Sequence, residues 1–193
     1  MAQEVKFKVS MQGQEVGEAR MRYTILPNKG VRTVLSLKLG EQYSMDVDES
    51  TKGDGFPDKS ITNDATPAEK KKIVKTYGAN ELTVAVTKNG KTVTTKHPYP
   101  KTGTVKADPD LWFLTVTPKV GQKHTQWIFE NDSLNWKQTT RTYVGVKTIT
   151  SKGKSVKAHL MQSDEADVWV DDKGIPYQIE LRQNGAIVLF ERK

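Results

Sequence analysis

The sequence predicts an all-β protein, built as a single curled antiparallel sheet or an incomplete β-barrel with one short amphipathic helix. Three observations predict this class. Apolar and polar side chains alternate with period two over most of the chain, glycine-containing turns separate the alternating segments, and only one segment carries helix signals. About a dozen strands follow from this pattern, and so many strands favour a curled sheet, because a flat one would leave long exposed edges.

The chain begins with a predicted meander of four strands. Its alternating segments are residues 4–11, 15–26, 31–39 and 42–47. Gly17 interrupts the second segment, and a residue without a side chain inside a strand indicates a β-bulge or a close approach of two backbones.

The segment after this meander contains the predicted helix. Residues 48–66 are polar and rich in turn formers, so we expect a loop there. The helix is predicted over residues 67–77, and Gly78 would end it. Its start signals are an N-cap, a proline at the first helical position and a capping-box acid, namely Thr66, Pro67 and Glu69. Its apolar stripe consists of Ile73, Val74 and Tyr77.

The second half returns to strands. Asn89-Gly90 is the strongest hairpin signal, and it joins strands predicted over residues 81–88 and 91–96. Residues 111–116 fit either a buried strand or a helical turn. Further strands are predicted over residues 124–130, 135–150 and 155–162, and the chain closes with a meander of three strands over residues 166–171, 175–182 and 186–192.

Composition indicates a single globular domain spanning residues 1–193. The charged fraction of 27% and the hydrophobic fraction of 35% are ordinary for such a domain. The absence of cysteine excludes disulfides, thiolate metal sites and a cysteine nucleophile. There is no apolar stretch of about 18 residues or more, so no transmembrane segment is expected. The net charge of +7 is spread evenly along the chain, which argues against a nucleic-acid interface.

No catalytic or metal-binding pattern is found, so we expect a protein that is not an enzyme and needs no cofactor. His97, His124 and His159 are far apart and lack partners at metal-ligand spacing. Residues 46–49 begin like a calcium loop. An EF-hand, however, needs glycine where Thr51 stands and glutamate where Pro57 stands.

The second half of the chain is enriched in aromatic residues, and these are the predicted ligand-binding residues: Trp112, Phe113, Trp127, Phe129 and Trp136. The three tryptophans fall within 25 residues. Two interpretations are open. Rings at a barrel mouth would bind an apolar chain or a sugar, whereas rings inside the barrel would simply fill its core.

Four segments carry a resemblance to a known group of proteins. They are Gly13-Gln14-Glu15-Val16-Gly17, Lys119-Val120-Gly121-Gln122, residues 153–158 (Gly-Lys-Ser-Val-Lys-Ala) and residues 168–177 (Val-Trp-Val-Asp-Asp-Lys-Gly-Ile-Pro-Tyr). Together they resemble a family of exported bacterial β-barrel proteins of unknown function. That family is distantly similar to the periplasmic lipoprotein carriers and their outer-membrane receptors, whose half-open barrel holds acyl chains.

The resemblance implies an envelope protein, periplasmic or extracellular, although a cytoplasmic location also fits the sequence. With the aromatic cluster, it leads us to expect a non-catalytic protein that binds an apolar or amphiphilic, lipid-like ligand in or at the mouth of a β-barrel. The alternative is a structural or interaction protein with a filled barrel, which docks an envelope protein or an anionic cell-envelope polymer.

Overall fold

A computed structural model of the chain describes residues 2–103, 105, 118–183 and 185–193. These residues form one antiparallel sheet of fourteen strands, which confirms the all-β class and the single large sheet. The strands are β1 (Ala2–Met11), β2 (Gln14–Ile25), β3 (Val31–Leu39), β4 (Tyr43–Thr51), β5 (Pro57–Ala65), β6 (Lys70–Tyr77), β7 (Glu81–Lys88), β8 (Lys91–Pro98), β9 (Lys123–Glu130), β10 (Asn135–Ser151), β11 (Lys154–Gln162), β12 (Ala166–Val170), β13 (Pro176–Gln183) and β14 (Ala186–Arg192).

The N-terminal strand, β1, lies in the middle of the sheet. β1 pairs with β2 on one side and with β14 on the other, so that one meander runs outward from β1 to β8 and a second from β14 to β9. Strands β8 and β9 are therefore the two ends of the sheet. They do not pair with each other in the described ranges, so backbone hydrogen bonds do not close the sheet into a barrel.

The inner face of the curled sheet carries the apolar core. Phe7 on β1 and Phe190 on β14 are buried and pack edge to face, with ring centroids 6.5 Å apart. The largest cluster joins both meanders and consists of Val5, Phe7, Val9, Ala19, Leu37, Ile175 and Phe190. A second cluster lies under β10–β12 and consists of Tyr143, Met161, Val168 and Val170.

The helix predicted over residues 67–77 is wrong, because Lys70–Tyr77 form β6 between β5 and β7. Ile73 and Tyr77 are four positions apart, which places them on one side of either a helix or a strand. A helix and a strand differ in where they place residues 74 and 75. Val74 lies half-buried on the outer side, whereas Lys75 is buried on the inner side.

The capping signal that predicted the helix instead closes a tight turn between β5 and β6. The backbone N–H of Thr66 donates to the Glu69 carbonyl at 2.8 Å, and the Glu69 N–H donates to Thr66 Oγ1 at 3.1 Å. The same side-chain-to-backbone bond serves helix caps and turns alike. The loop expected over residues 48–66 is also mostly strand, since β4 continues to Thr51 and β5 begins at Pro57.

The hairpin and bulge predictions are confirmed. Asn89 and Gly90 both have positive φ, 50° and 78°, and they join β7 to β8 with Lys88 opposite Lys91. At Gly17 the register of β1 and β2 shifts, and a Cβ there would lie 2.0 Å from the carbonyl oxygen of Lys38. Among the described residues, the chain has no helix long and apolar enough to cross a membrane.

Candidate functional site at the seam of the sheet

The two ends of the sheet meet through side chains rather than through strand pairing. The β9–β10 hairpin packs onto the inner face of the opposite end of the sheet. Its turn lies over β5 and β6, where Asn131 Nδ2 donates to Thr62 Oγ1 at 3.4 Å and Asp132 forms an ion pair with Lys71 at 3.9 Å. We call the junction between this hairpin and strands β5–β8 the seam.

Three of the predicted aromatic residues line the seam. Trp127 and Phe129 lie on one face of β9, and Trp136 stands directly opposite Phe129 on β10, with ring centroids 5.3 Å apart. Phe129 is buried against Ile73 and other apolar residues of β6 and β7. Trp112 and Phe113 lie outside the described residues. The ligand-binding role of all five stays a prediction.

Both indole N–H groups at the seam are used to hold its two sides together. Trp136 Nε1 donates to the Pro98 carbonyl at the end of β8, at 2.9 Å. Trp127 Nε1 donates to the Thr102 carbonyl at 2.7 Å, and the backbone beside Trp127 forms a bridge with Val105. The rings therefore present their apolar faces to the space next to them, while their polar atoms are satisfied.

Opposite the aromatic rings, the inner face of the sheet carries a row of polar residues. Glu49, Ser60 and Lys75 are direct neighbours across β4, β5 and β6. The Ser60 hydroxyl donates to Glu49 Oε1 at 2.9 Å. Lys75 reaches across the seam, and its Nζ donates to the Phe129 carbonyl at 3.5 Å.

A pocket of about 220 Å³ lies between these two walls, and we call it the seam pocket. One wall is aromatic and consists of Trp127, Phe129 and Trp136. The other contains the polar row and Tyr77. The pocket thus combines a surface for an apolar group with a few polar atoms beside it, which is the usual composition of a small-molecule site.

Burial sets the electrostatics of the polar wall. Burial lowers the pKa of Lys75, and the Glu49 carboxylate opposes this effect by favouring the ammonium form. The pKa of Tyr77 is raised, first by burial and then by the charge of Glu49. Tyr77 therefore faces the pocket as a neutral phenol at neutral pH.

The histidines do not converge on a metal site or on the seam pocket. His97 packs its ring against Phe129, with centroids 4.7 Å apart, whereas His159 hydrogen-bonds Tyr143 and Asp172 on the other half of the sheet. Within the described part of the chain, no group of three or more His, Cys, Asp or Glu side chains is placed to hold a metal ion.

Sequence reasoning missed the polar wall of the seam pocket. Glu49 and Ser60 fall in the segment predicted as a loop, and Lys75 and Tyr77 fall in the segment predicted as a helix. Neither prediction places these side chains in one row. A strand assignment for residues 70–77 would have pointed Lys75 inward, beside Ile73.

No family profile matches the chain, and no curated protein matches it. The fold is similar to the crystal structure of a β-barrel-like protein of domain of unknown function DUF1849 from Brucella abortus. The TM-score is 0.63 at 9% identity, over 98% of this chain and 95% of that chain. A DUF1089 family protein from Pseudomonas aeruginosa aligns with a TM-score of 0.44 at 12% identity, over 86% of this chain and 89% of that chain. The first similarity shows the fold alone, a β-barrel-like architecture in a protein of unknown function.

Proposed function

We propose that this protein is a non-catalytic binding protein that takes the apolar part of an amphiphilic ligand into the seam pocket. One observation carries the proposal: Trp127, Phe129 and Trp136 form an aromatic wall on a concave site. Aromatic rings around a recess gain free energy when they exchange water for an apolar ligand.

The size of the seam pocket limits the ligand. Sites for drug-sized ligands occupy roughly 300–1,000 Å³, and the seam pocket, at about 220 Å³, is smaller. It suits a short amphiphile or one end of a longer chain. Because β8 and β9 do not pair in the described ranges, the alkyl chain of a longer ligand extends out of the pocket through the opening between them.

The proposal includes the envelope location that the sequence resemblance implies. A ligand of this chemistry is a component or a product of membranes, and a carrier or sensor for it belongs near them. Fractionation of cells that express the protein, with antibody detection in periplasmic, membrane and cytoplasmic fractions, tests this part of the proposal separately.

Titration with an uncharged amphiphile, such as octanol, tests the binding function. We expect a saturable change in tryptophan fluorescence, a matching calorimetric signal, and co-purified amphiphile in native mass spectrometry. Trp127→Ala should weaken binding at least several-fold, because it removes part of the aromatic wall. Trp169→Phe is the matched control, since Trp169 lies on β12 and does not line the seam pocket. Absence of any signal with several amphiphiles, uncharged and anionic, would exclude the proposed function.

A second function is favoured by the edge of the sheet at β8. This strand is exposed along nearly its whole length, and within the described ranges it pairs only with β7. An exposed edge can accept an extended segment of a partner protein. A photocrosslinker at Thr94 in living cells would capture such a partner, whereas one at the exposed Thr148 on β10 would not.

A further inference from the structure

We propose that the seam pocket selects amphiphiles with an anionic headgroup, a carboxylate or a phosphate, and that Lys75 anchors this headgroup. This inference rests on the proposed function. It goes further because it assigns the polar end of the ligand to one residue.

Lys75 has hydrogen-bonding capacity that the described residues do not use. An ammonium group has three N–H donors, and Lys75 is only 7% exposed. Among the described residues its one hydrogen bond is the 3.5 Å contact with the Phe129 carbonyl, and the carboxylate of Glu49 acts on it through its charge without forming an ion pair. A buried ammonium with free donors costs stability unless an acceptor reaches it.

The polar wall offers an anion one cation with unused donors among the described residues. Lys75 lies on the inner face near Glu49, and Glu49 already accepts the hydrogen bond from the Ser60 hydroxyl. Lys59 also borders the pocket but is exposed, and its position next to the inward-facing Ser60 places its side chain on the outer side, where its charge acts on Asp48. An incoming carboxylate or phosphate would satisfy the Lys75 donors.

The arrangement of the two walls separates the ends of the ligand. Lys75 lies on the polar wall, and the aromatic wall stands opposite it across a pocket of about 220 Å³. A headgroup on Lys75 places the attached chain against Trp127 and Trp136. A buried ionisable group with a shifted pKa in a recess is also the feature that marks functional sites in many proteins.

Calorimetric titrations with octanol, octanoate and octyl phosphate, together with acetate and inorganic phosphate, test the inference. We expect octanoate or octyl phosphate to bind about tenfold more tightly than octanol, the gain typical of a hydrogen bond to a charged group. Acetate and inorganic phosphate should bind more weakly than either amphiphile, because they do not use the aromatic wall.

Three variants localise the effect. Lys75→Met should remove the preference for anionic headgroups, so that octanoate and octanol bind the variant with similar affinity. Lys59→Met, which removes an exposed charge on the outer side of β5 at the border of the pocket, should keep most of the preference. Glu49→Gln should strengthen octanoate binding several-fold, because it removes the opposing charge and keeps an acceptor for Ser60.

The outcomes separate this inference from the proposed function. If octanol binds as tightly as octanoate, or if Lys75→Met keeps the preference, the inference is overturned and the proposed function stands. If none of the amphiphiles binds, both are overturned. If acetate or inorganic phosphate binds as tightly as octanoate, the site takes anions alone and the amphiphile inference is also overturned. Should Lys75→Met fail to fold, unchanged or weaker octanoate binding by Glu49→Gln overturns the inference independently.

Discussion

The ammonium nitrogen of Lys75 lies 3.5 Å from the backbone carbonyl oxygen of Phe129. Lys75 is on β6, the third strand from one end of the sheet, and Phe129 is on β9, the last strand at the other end. An edge strand leaves backbone groups without a strand partner. Here the Lys75 side chain, from the inner face of the sheet, donates to the Phe129 carbonyl of the edge strand β9. In a closed barrel, a neighbouring strand would donate this hydrogen bond.

Replacing Lys75 with methionine should stabilise the protein at neutral pH. Burial lowers the pKa of Lys75 below its ordinary value of 10.5, so the folded state holds the ammonium at a cost. Methionine has a similar length and no charge. We expect the free energy of unfolding to rise by about 1 kcal/mol at pH 7, as measured by urea denaturation.

The gain from Lys75→Met should shrink as the pH rises. Between the lowered folded-state pKa and 10.5, the unfolded wild-type chain binds more protons than the folded one, so wild-type stability increases with pH over this interval. Tyr77 and Glu49 are the ionisable groups that face Lys75, and the charge of Glu49 acts on Lys75 only in the wild type. A loss of stability in Lys75→Met at pH 7 would show that the bond to Phe129 outweighs the cost of burial.

Replacing Gln126 with methionine should also stabilise the protein. Gln126 on β9 is fully buried, and neither polar atom of its side-chain amide has a hydrogen-bond partner among the described residues. An unpaired buried amide costs about 1–3 kcal/mol. We expect a rise in the free energy of unfolding of about 1 kcal/mol or more. Gln138→Met, at an exposed position of β10, is the control and should change little. A destabilised Gln126→Met would mean that a water molecule or a ligand pairs with this amide.

Substitution of Gly17 by alanine should destabilise the sheet. A Cβ at this position would lie 2.0 Å from the backbone oxygen of Lys38, which cannot move without disturbing β3. We expect a loss of about 2–3 kcal/mol. Gly40→Ala is the comparison, because its Cβ would meet open space and only its φ of +54° opposes the change. That variant should lose about 1 kcal/mol, and equal losses in thermal melts would contradict the steric explanation.

Replacing Trp136 with phenylalanine should loosen the seam without unfolding the protein. The smaller ring keeps most of the contact with Phe129 and loses the hydrogen bond from Nε1 to the Pro98 carbonyl. The expected loss of stability is about 1 kcal/mol. Amide hydrogen exchange should accelerate at the end of β8 and in β9, while the amides of β1 and β14 keep their protection. Uniform acceleration throughout the sheet would show that the seam does not open separately.

The elements that the sequence predicted correctly are those in which local chemistry and tertiary packing agree. Asn89 and Gly90 accept the positive φ that a two-residue hairpin needs, and the predicted closing meander is present as β12, β13 and β14. Gly17 could be recognised as a bulge or a close approach because both require the absence of a side chain. The partner in that approach, Lys38, could not be predicted.

The incorrect predictions are concentrated in the polar wall of the seam pocket. In β6 the inward positions hold Lys71, Ile73, Lys75 and Tyr77, so lysine stands at two places where alternation would require an apolar residue. Ile73 and Tyr77 then show only a spacing of four, which is the spacing of a helix. Local sequence patterns fail most often where a residue serves something other than packing. Nor does any local pattern show that the two ends of the sheet come together at the seam.

The strand order described above also bears on how the chain folds. Among the fourteen described strands, every neighbouring pair except one is consecutive in sequence, so each meander can assemble by short hairpin steps. The exception is the pairing of β1 with β14, which brings Phe7 opposite Arg192 and must close a loop spanning nearly the whole chain. Loop closure of that length carries a large entropic cost. We therefore expect two independently nucleated halves, β1–β8 and β9–β14, whose docking along β1 and β14 is the slow step of folding.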